Sequence, residues 1–283
     1  MGTSQSSNGS PSGVPMVPPW VPDIPLPAAP AGNPENTPND GEEQNRPQGT
    51  EPRQSIPIAP ARRFGNTRRS MGEYAHSGDR SDMRRGVGRY IKGGYGGSST
   101  ATRRFGGTAQ TANALYSALS GGTSNPYATP GNHLDPVLLS GRSADDVMDA
   151  VVEAVRPVDG SQDTEASRAA IKDALSDVLT KFPDADLLSL DEQHREFAIE
   201  SFVASDVFRR FDLDLGKTIR DKAPSAVSGL ARLKEVREYI RETVASTFRR
   251  LREAGGKLGT GRITQIVQNA LRETFQVFEG YAE

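Results

Sequence analysis

The sequence predicts an all-α protein, in which a C-terminal bundle of five or six helices follows a long disordered proline-rich tail and a glycine- and arginine-rich segment. Apolar residues recur at helical spacing from about residue 143 onward, and no alternating strand pattern competes with them. The first 61 residues hold 14 of the chain's 20 prolines and almost no periodic apolar residues. Such a composition buries too little apolar surface to offset the entropy of ordering, so we expect residues 1–61 to be disordered.

Capping residues and helix breakers divide the C-terminal region into helices. Ser143 is a suitable N-cap for the first helix, because a serine side chain can accept a hydrogen bond from a free backbone N–H. Asp191 suits the same role in a later helix, and Pro224 stands where a first-turn proline would. The longest predicted helix follows Pro224 and carries an apolar stripe. The members of the stripe are Leu230, Leu233, Val236, Ile240, Val244, Phe248 and Leu251.

Composition and charge divide the chain into four parts. Residues 1–61 form the disordered tail, residues 62–120 a basic segment with short helices, residues 121–142 a linker, and residues 143–283 the α-helical domain. The tail carries a net charge of −4, residues 62–107 carry +8, and the rest of the chain carries −6. This separation of charge predicts an acidic or polyanionic partner for the basic segment.

Two short helices are expected inside the basic segment, over residues 80–92 and about residues 100–119. Ser81 and Asp79 are both suitable caps for the first of them. Four glycines weaken these helices, by roughly 1 kcal/mol each relative to alanine, although small residues also let helices approach one another closely. These glycines are Gly86, Gly88, Gly106 and Gly107.

The residue inventory excludes several classes of function. The chain has no cysteine, which rules out disulfides, thiolate catalysis and cysteine-based zinc sites. His76, His133 and His194 have no ligand-like neighbour at helical spacing, and no convergent acid, base and nucleophile are evident. We therefore expect no catalytic residues, no enzymatic activity, no metal and no cofactor. No apolar run approaches membrane-spanning length and no secretory signal opens the sequence, so we expect a cytoplasmic protein.

The proline-rich tail contains a short apolar stretch that includes the only tryptophan. One interpretation is a plain spacer in the extended polyproline conformation. The other is a docking motif, since a pre-extended peptide loses little entropy when it binds a groove on a partner. The candidate partner-docking residues are Met16, Val17, Pro18, Pro19, Trp20 and Val21.

The basic segment has two interpretations as a binding surface. Arginines interleaved with aromatic residues are typical of proteins that bind single-stranded nucleic acid, because arginine contacts phosphate and aromatic rings stack on bases. Alternatively, the arginines pair with acidic residues of this protein's own helical domain or of a partner protein. The candidate residues are Arg62, Arg63, Arg84, Arg85, Arg89, Tyr90, Tyr95, Arg103 and Arg104.

The start of the chain presents a small residue, Gly2, after the initiator methionine. Removal of Met1 leaves a free α-amine whose pKa is near 8, so an appreciable fraction is neutral and nucleophilic at neutral pH. The sequence fits the loose pattern for N-myristoylation, which would make the protein a lipid-anchored adaptor, but no basic run in the tail supplies a second membrane signal. Acylation by another enzyme and an unmodified start are the remaining interpretations.

Several motifs of the first 110 residues are also informative as a group. They include the opening Met1-Gly2-Thr3-Ser4, the stretch Gly13–Trp20 and the run Arg84–Tyr90. Further motifs are Pro57–Pro60, Ser77–Arg80 and Gly94–Ser98. Together they resemble the QatB family, a component of a bacterial four-gene anti-phage defence system. The resemblance is strongest over residues 1–110 and weaker over the helical region.

This resemblance implies partners and a chemical role. The other members of the system are similar to an ATPase (QatA), a QueC-like enzyme (QatC) and a TatD-like metal-dependent nuclease (QatD). QueC-type enzymes use ATP to activate the carboxylate of a 7-deazaguanine, and in the defence relatives the acyl group passes to the N-terminal glycine of a partner protein. The resemblance therefore implies that Gly2 is the acceptor of this modification.

Overall fold

The fold is seen in a computed structural model that describes residues 13–17, 19, 21, 58–120, 139–255 and 262–283. Within these ranges the backbone is helical, apart from turns, short connections and one antiparallel bridge between Pro15 and Ile58. The all-α fold class predicted from the sequence is therefore confirmed. No helix in the described ranges combines the length and the apolarity needed to cross a bilayer.

The described residues contain ten α-helices and two short π-helical segments. The α-helices are α1 (Gly65–Ser77), α2 (Arg80–Arg89), α3 (Ser98–Arg104), α4 (Gly106–Leu119), α5 (Ala144–Val155), α6 (Gln162–Lys181), α7 (Glu192–Phe211), α8 (Lys217–Lys222), α9 (Ala226–Glu253) and α10 (Ile263–Glu279). The segment π1 (Tyr90–Gly94) follows α2 directly, and π2 (Asp212–Gly216) joins α7 to α8. The helix expected over residues 100–119 is divided into α3 and α4, because the chain turns at Phe105.

Side-chain caps begin several of these helices. The Ser143 side chain accepts a hydrogen bond from the backbone N–H of Asp146, and Asp191 accepts one from His194 at 2.8 Å. Both caps match the sequence prediction. Asp79, one of two candidates for α2, accepts from the N–H of Ser81.

The start of the longest helix, α9, differs from the prediction. Ser225 caps it and Pro224 lies just outside, so the proline is not in the first turn. The apolar stripe begins at Leu233, because Leu230 is 64% exposed. At this end of α9 the face that contacts α8 is formed by Gly229, where an added Cβ would lie 3.3 Å from the Cα of Arg220.

A single apolar core joins the basic segment to the helical region. Helices α6 and α7 pack against each other, α9 crosses α7, and α10 contacts α3, α4 and α9. Rings from the basic segment reach into this core: Tyr90 lies 5.2 Å from Phe211, and Phe105 lies 5.0 Å from Phe275, between ring centroids. The described core thus continues across the boundary that composition placed at residues 121–142.

Candidate functional site

Glycines of α2, π1 and the start of α3 let other parts of the chain approach the backbone. An added Cβ at Gly88 would lie 2.6 Å from the backbone nitrogen of Ala282 and 2.7 Å from the carbonyl oxygen of Phe278. The ring of Phe64 lies against Gly94, and the side chain of Met71 lies against Gly86. Gly96 and Gly97, which lie between π1 and α3, are approached by Met16 and Glu279 in the same way. We call this pair the glycine-rich face.

The N-terminal segment returns to the helices at residues 13–17. The N–H of Gly13 donates to the carbonyl oxygen of Ala59 at 2.9 Å, and the N–H of Ala59 donates to the carbonyl oxygen of Val14 at 2.8 Å. Between them, Pro15 and Ile58 form the antiparallel bridge. We call residues 13–17 paired with residues 58–59 the N-terminal clamp.

The side chains that follow the bridge anchor the clamp on the glycine-rich face. Met16 is 3% exposed and Val17 is 6% exposed. The sulfur of Met16 lies 2.7 Å from the position that a Cβ of residue 96 would occupy, so a side chain at this position would collide with Met16. Gly96 also has a φ of +78°, a backbone conformation that residues with a side chain rarely adopt. Burial of a methionine or valine side chain is worth about 1.5–3 kcal/mol, which helps to hold the peptide in place.

The structure shows how exposed the described docking candidates are. The Met16 sulfur packs against Gly96, and Met16 and Val17 are both buried, so neither side chain is exposed to a partner in this structure. Pro19 is exposed and Val21 is partly exposed. Pro18, Trp20 and Gly2 lie outside the described residues. Docking by residues 16–21 and the acceptor role of Gly2 both stay predictions.

The two tyrosines expected as stacking planes are buried. Tyr90 is 2% exposed and Tyr95 is 4% exposed, so in this structure neither ring is accessible for stacking on a base. Their hydroxyls donate to the same carboxylate oxygen of Asp214, at 2.9 Å and 3.0 Å. Because Tyr90 lies in π1 and Asp214 in π2, these hydrogen bonds join the two π-helical segments. Sequence reasoning missed Asp214, which is 119 residues from Tyr95 and carries no local motif.

Burial dominates the electrostatics of this group. It raises the pKa of Asp214 above the ordinary value of an aspartate, while the tyrosine hydrogen bonds and the positive charge of Arg63 act in the opposite direction. The pKa values of Tyr90 and Tyr95 are also raised, first by burial and then by the negative charge of Asp214. Because the pKa of the buried Asp214 is shifted, its contribution to the free energy of unfolding depends on pH.

Most of the candidate arginines have partners within the chain. Arg104 forms an ion pair with Asp163 at 3.2 Å, and Arg85 pairs with Asp82. This pairing of Arg104 agrees with the interpretation that the arginines contact the protein's own helical domain.

Two further arginines contact polar or aromatic side chains. Arg89 donates to the hydroxyl of Ser70 at 2.6 Å. Arg84 lies over the rings of Tyr239 and Tyr281, at 5.9 Å and 5.6 Å from their centroids. These contacts tie α2 to α1, α9 and the C-terminal end of the chain.

The remaining basic residues differ in exposure. Arg63 is partly buried over the rings of Phe64 and Tyr95, at 4.6 Å and 5.9 Å. Arg103 is partly buried, whereas Arg62 and Lys92 are exposed. Among the described residues, neither Arg62 nor Lys92 has an ion-pair partner. No three histidine, aspartate or glutamate side chains in the same ranges are placed to hold a metal ion.

Comparison with known protein families identifies the chain. A family described as "Qat anti-phage system associated protein QatB" matches residues 96–278, which is more than half of the sequence. The chain belongs to the QatB family. The range that matches QatB begins at Gly96, the residue on which Met16 packs, and extends from α3 almost to the end of α10. No curated protein and no solved structure gives a match.

QatB membership supplies the general role of the chain. The protein is a component of an anti-phage defence system, and the other proteins of that system are its expected partners. The QatB match lies mostly downstream of the N-terminal motifs from which the resemblance was first recognised. The two observations therefore depend on largely separate parts of the sequence, which overlap only around the start of α3.

Proposed function

We propose that this chain is a non-enzymatic component of its defence system and that Gly2 accepts a 7-deazaguanine acyl group from a QueC-like partner. Membership of the QatB family supports the assignment of the chain to this defence system. The clamp supports the proposal that the N-terminus is presented to a partner. Among the described residues, contact with the rest of the chain begins at Gly13, whose N–H donates to Ala59 ahead of α1. The eleven residues before it, Gly2 to Ser12, include Pro11 but no other aliphatic and no aromatic side chain, so they have little apolar surface to bury.

The chemistry requires only a free amine and an activated acyl group. The lone pair of the Gly2 nitrogen attacks the activated carbonyl carbon, and an amide bond forms. The activating group leaves with the electron pair of the broken bond, and the amine loses a proton to a base. Glycine suits this role because it has no side chain to obstruct entry of the amine into a narrow active site.

The test is the intact mass of the protein after co-expression with the QueC-like partner. We expect loss of Met1 and an added deazaguanine acyl group on Gly2, and no adduct on the Gly2→Pro variant, whose ring nitrogen is hindered. The matched control is Gly9→Pro, which makes the same substitution in the tail and keeps the amine of Gly2. An unmodified wild-type terminus, or full phage defence by the Gly2→Pro variant, would refute the proposal. A mass increase equal to a myristoyl group would favour the lipid-anchored adaptor instead.

A second candidate function is binding of a polyanion by the basic segment. Arg62 and Lys92 are exposed and have no ion-pair partner within the described ranges, which favours it. The burial of Tyr90 and Tyr95 removes the stacking contacts that nucleic-acid recognition commonly uses. Contacts with phosphate alone would make such binding independent of base sequence.

Salt dependence tests this second function. We expect the double variant Arg62→Glu/Lys92→Glu to bind a single-stranded oligonucleotide more weakly, with the slope of log affinity against log salt smaller by about 1.4 because two phosphate contacts are lost. The control is Lys217→Glu/Arg249→Glu, the same charge change at exposed positions of α8 and α9. Equal slopes for the two variants, or no binding by the wild type at low salt, would contradict it.

A further inference from the structure

The N-terminal clamp limits how far the start of the chain can reach from the helices. Eleven peptide units separate Gly2 from Gly13, and a fully extended chain spans about 3.3–3.6 Å per residue. The amine of Gly2 therefore lies within roughly 40 Å of Gly13. With the clamp released, the reach is counted from Ile58, where the described part of the chain resumes after Val21, and the same calculation gives roughly 190 Å.

Backbone hydrogen bonds and buried side chains both hold the clamp in place. Two backbone hydrogen bonds and a β-bridge fix its register. The Met16 sulfur packs against Gly96, just before α3, and Val17 is buried as well. Ala59, on the opposite strand, is only 2% exposed and leads directly into the buried Phe64 at the start of α1.

We infer that the clamp is a positioning device for modification of the terminus. It keeps the Gly2 amine within about 40 Å of Gly13, so that the active site of an acylating partner bound to the helical body must lie within that distance. Met16 and Val17 are positioning residues in this arrangement, since they act through the peptide that precedes them. The inference rests on the proposed function and adds to it where on the helical body the acylating partner meets the Gly2 amine.

The length dependence of an intramolecular reaction gives the expected effect. For a partner already bound to the helical body, the local concentration of the amine falls roughly as the −3/2 power of the length of the connecting chain. Release of the clamp lengthens that connection from 11 to 56 residues, so we expect kcat for modification to fall about tenfold. KM should change little, because the partner binds the body and not the clamp residues.

Two double variants of the full chain test this expectation. Met16→Asp/Val17→Asp places carboxylates at the two buried positions and should release the clamp. Pro157→Asp/Val158→Asp adds the same charge at two adjacent exposed positions between α5 and α6, one of them 60% exposed, and should keep kcat within twofold of the wild type. Circular dichroism verifies the helices in both, since all four positions lie outside them.

An insertion separates positioning from a purely structural role. Twelve glycine and serine residues between Ser12 and Gly13 leave the clamp residues unchanged but double the connection, which should lower kcat about threefold without a change in melting temperature.

The outcomes distinguish this inference from the proposed function. Modification of the wild type with an unchanged kcat in the clamp variant overturns the inference alone. A raised KM with unchanged kcat also overturns it, since it would mean that Met16 and Val17 bind the partner. Absence of any adduct on wild-type Gly2 defeats the proposed function itself.

Discussion

Replacement of Gly88 by alanine should lower the free energy of unfolding by about 2 kcal/mol. The reason is the close crossing of α2 and the C-terminal end of the chain, where the added Cβ would lie 2.6–2.7 Å from backbone atoms of Phe278, Tyr281 and Ala282. Backbone atoms cannot move aside as a flexible side chain can, and overpacking of this kind typically costs 1–3 kcal/mol. Three backbone contacts place the cost near the upper end of this range, about 3 kcal/mol, and the alanine favours the helix by about 1 kcal/mol, which leaves a net loss of about 2 kcal/mol.

The matched control is the same substitution in another helix. Gly107 lies near the start of α4, and a Cβ added there would meet no atom within 4 Å. Gly107→Ala should therefore raise the free energy of unfolding by about 0.5 kcal/mol through helix propensity and a less flexible unfolded chain. Chemical denaturation measures both. A Gly88→Ala variant as stable as Gly107→Ala would show that the two segments do not cross at Gly88.

Removal of the two tyrosine hydroxyls that donate to Asp214 should lower the free energy of unfolding more than Gly88→Ala does. In the variant Tyr90→Phe/Tyr95→Phe the rings remain in the core, but the buried carboxylate loses the two donors at 2.9 Å and 3.0 Å. Loss of the partners of a buried charge costs about 3–5 kcal/mol. We expect a loss of that size at pH 8, measured by chemical denaturation.

The pH dependence identifies the charge as the cause. Burial raises the folded-state pKa of Asp214, so the folded protein holds this proton more tightly than the unfolded chain does. The resulting stability is fully present below the unfolded value, near pH 4, and is lost as the pH rises through the raised pKa. Removal of the hydroxyls raises that pKa further, so the loss caused by the double variant should be smaller at pH 5 than at pH 8.

Two further variants control this experiment. Asp214→Asn should remove the part of the pH dependence that this carboxylate causes, because the amide does not titrate. Tyr281→Phe deletes a hydroxyl at a position that is 44% exposed and keeps the ring near Arg84, so it should change stability by less than about 0.5 kcal/mol. A loss that is equal at pH 5 and pH 8 would mean that Asp214 is not the group responsible.

The helices were predictable from sequence where a local signal determines them. Ser143 and Asp191 were recognised as caps because the capping hydrogen bond joins residues only three positions apart. The apolar stripe of α9 was recognised by its period of 3.6 residues. Leu230 continues that period, yet it is exposed because the core ends before it does, and periodicity carries no information about where neighbouring helices end.

The basic segment was harder to interpret because two kinds of protein share its composition. Glycine, arginine and tyrosine together are typical of nucleic-acid-binding segments, and they also suit closely packed helices. The choice depends on contacts distant in sequence, such as Asp214 for Tyr95 and Asp163 for Arg104. The clamp was missed for the same reason, since Gly13 and Ala59 are 46 residues apart and neither lies in a periodic pattern.

The clamp also gives the N-terminal peptide two separate attachments to the rest of the protein. One is the covalent chain through residues 18–57, and the other is the pair of backbone hydrogen bonds together with the buried Met16 and Val17. A single proteolytic cut between residues 18 and 57 breaks only the first. After such a cut, an N-terminal peptide that carries a covalent modification would remain noncovalently bound to the molecule it came from.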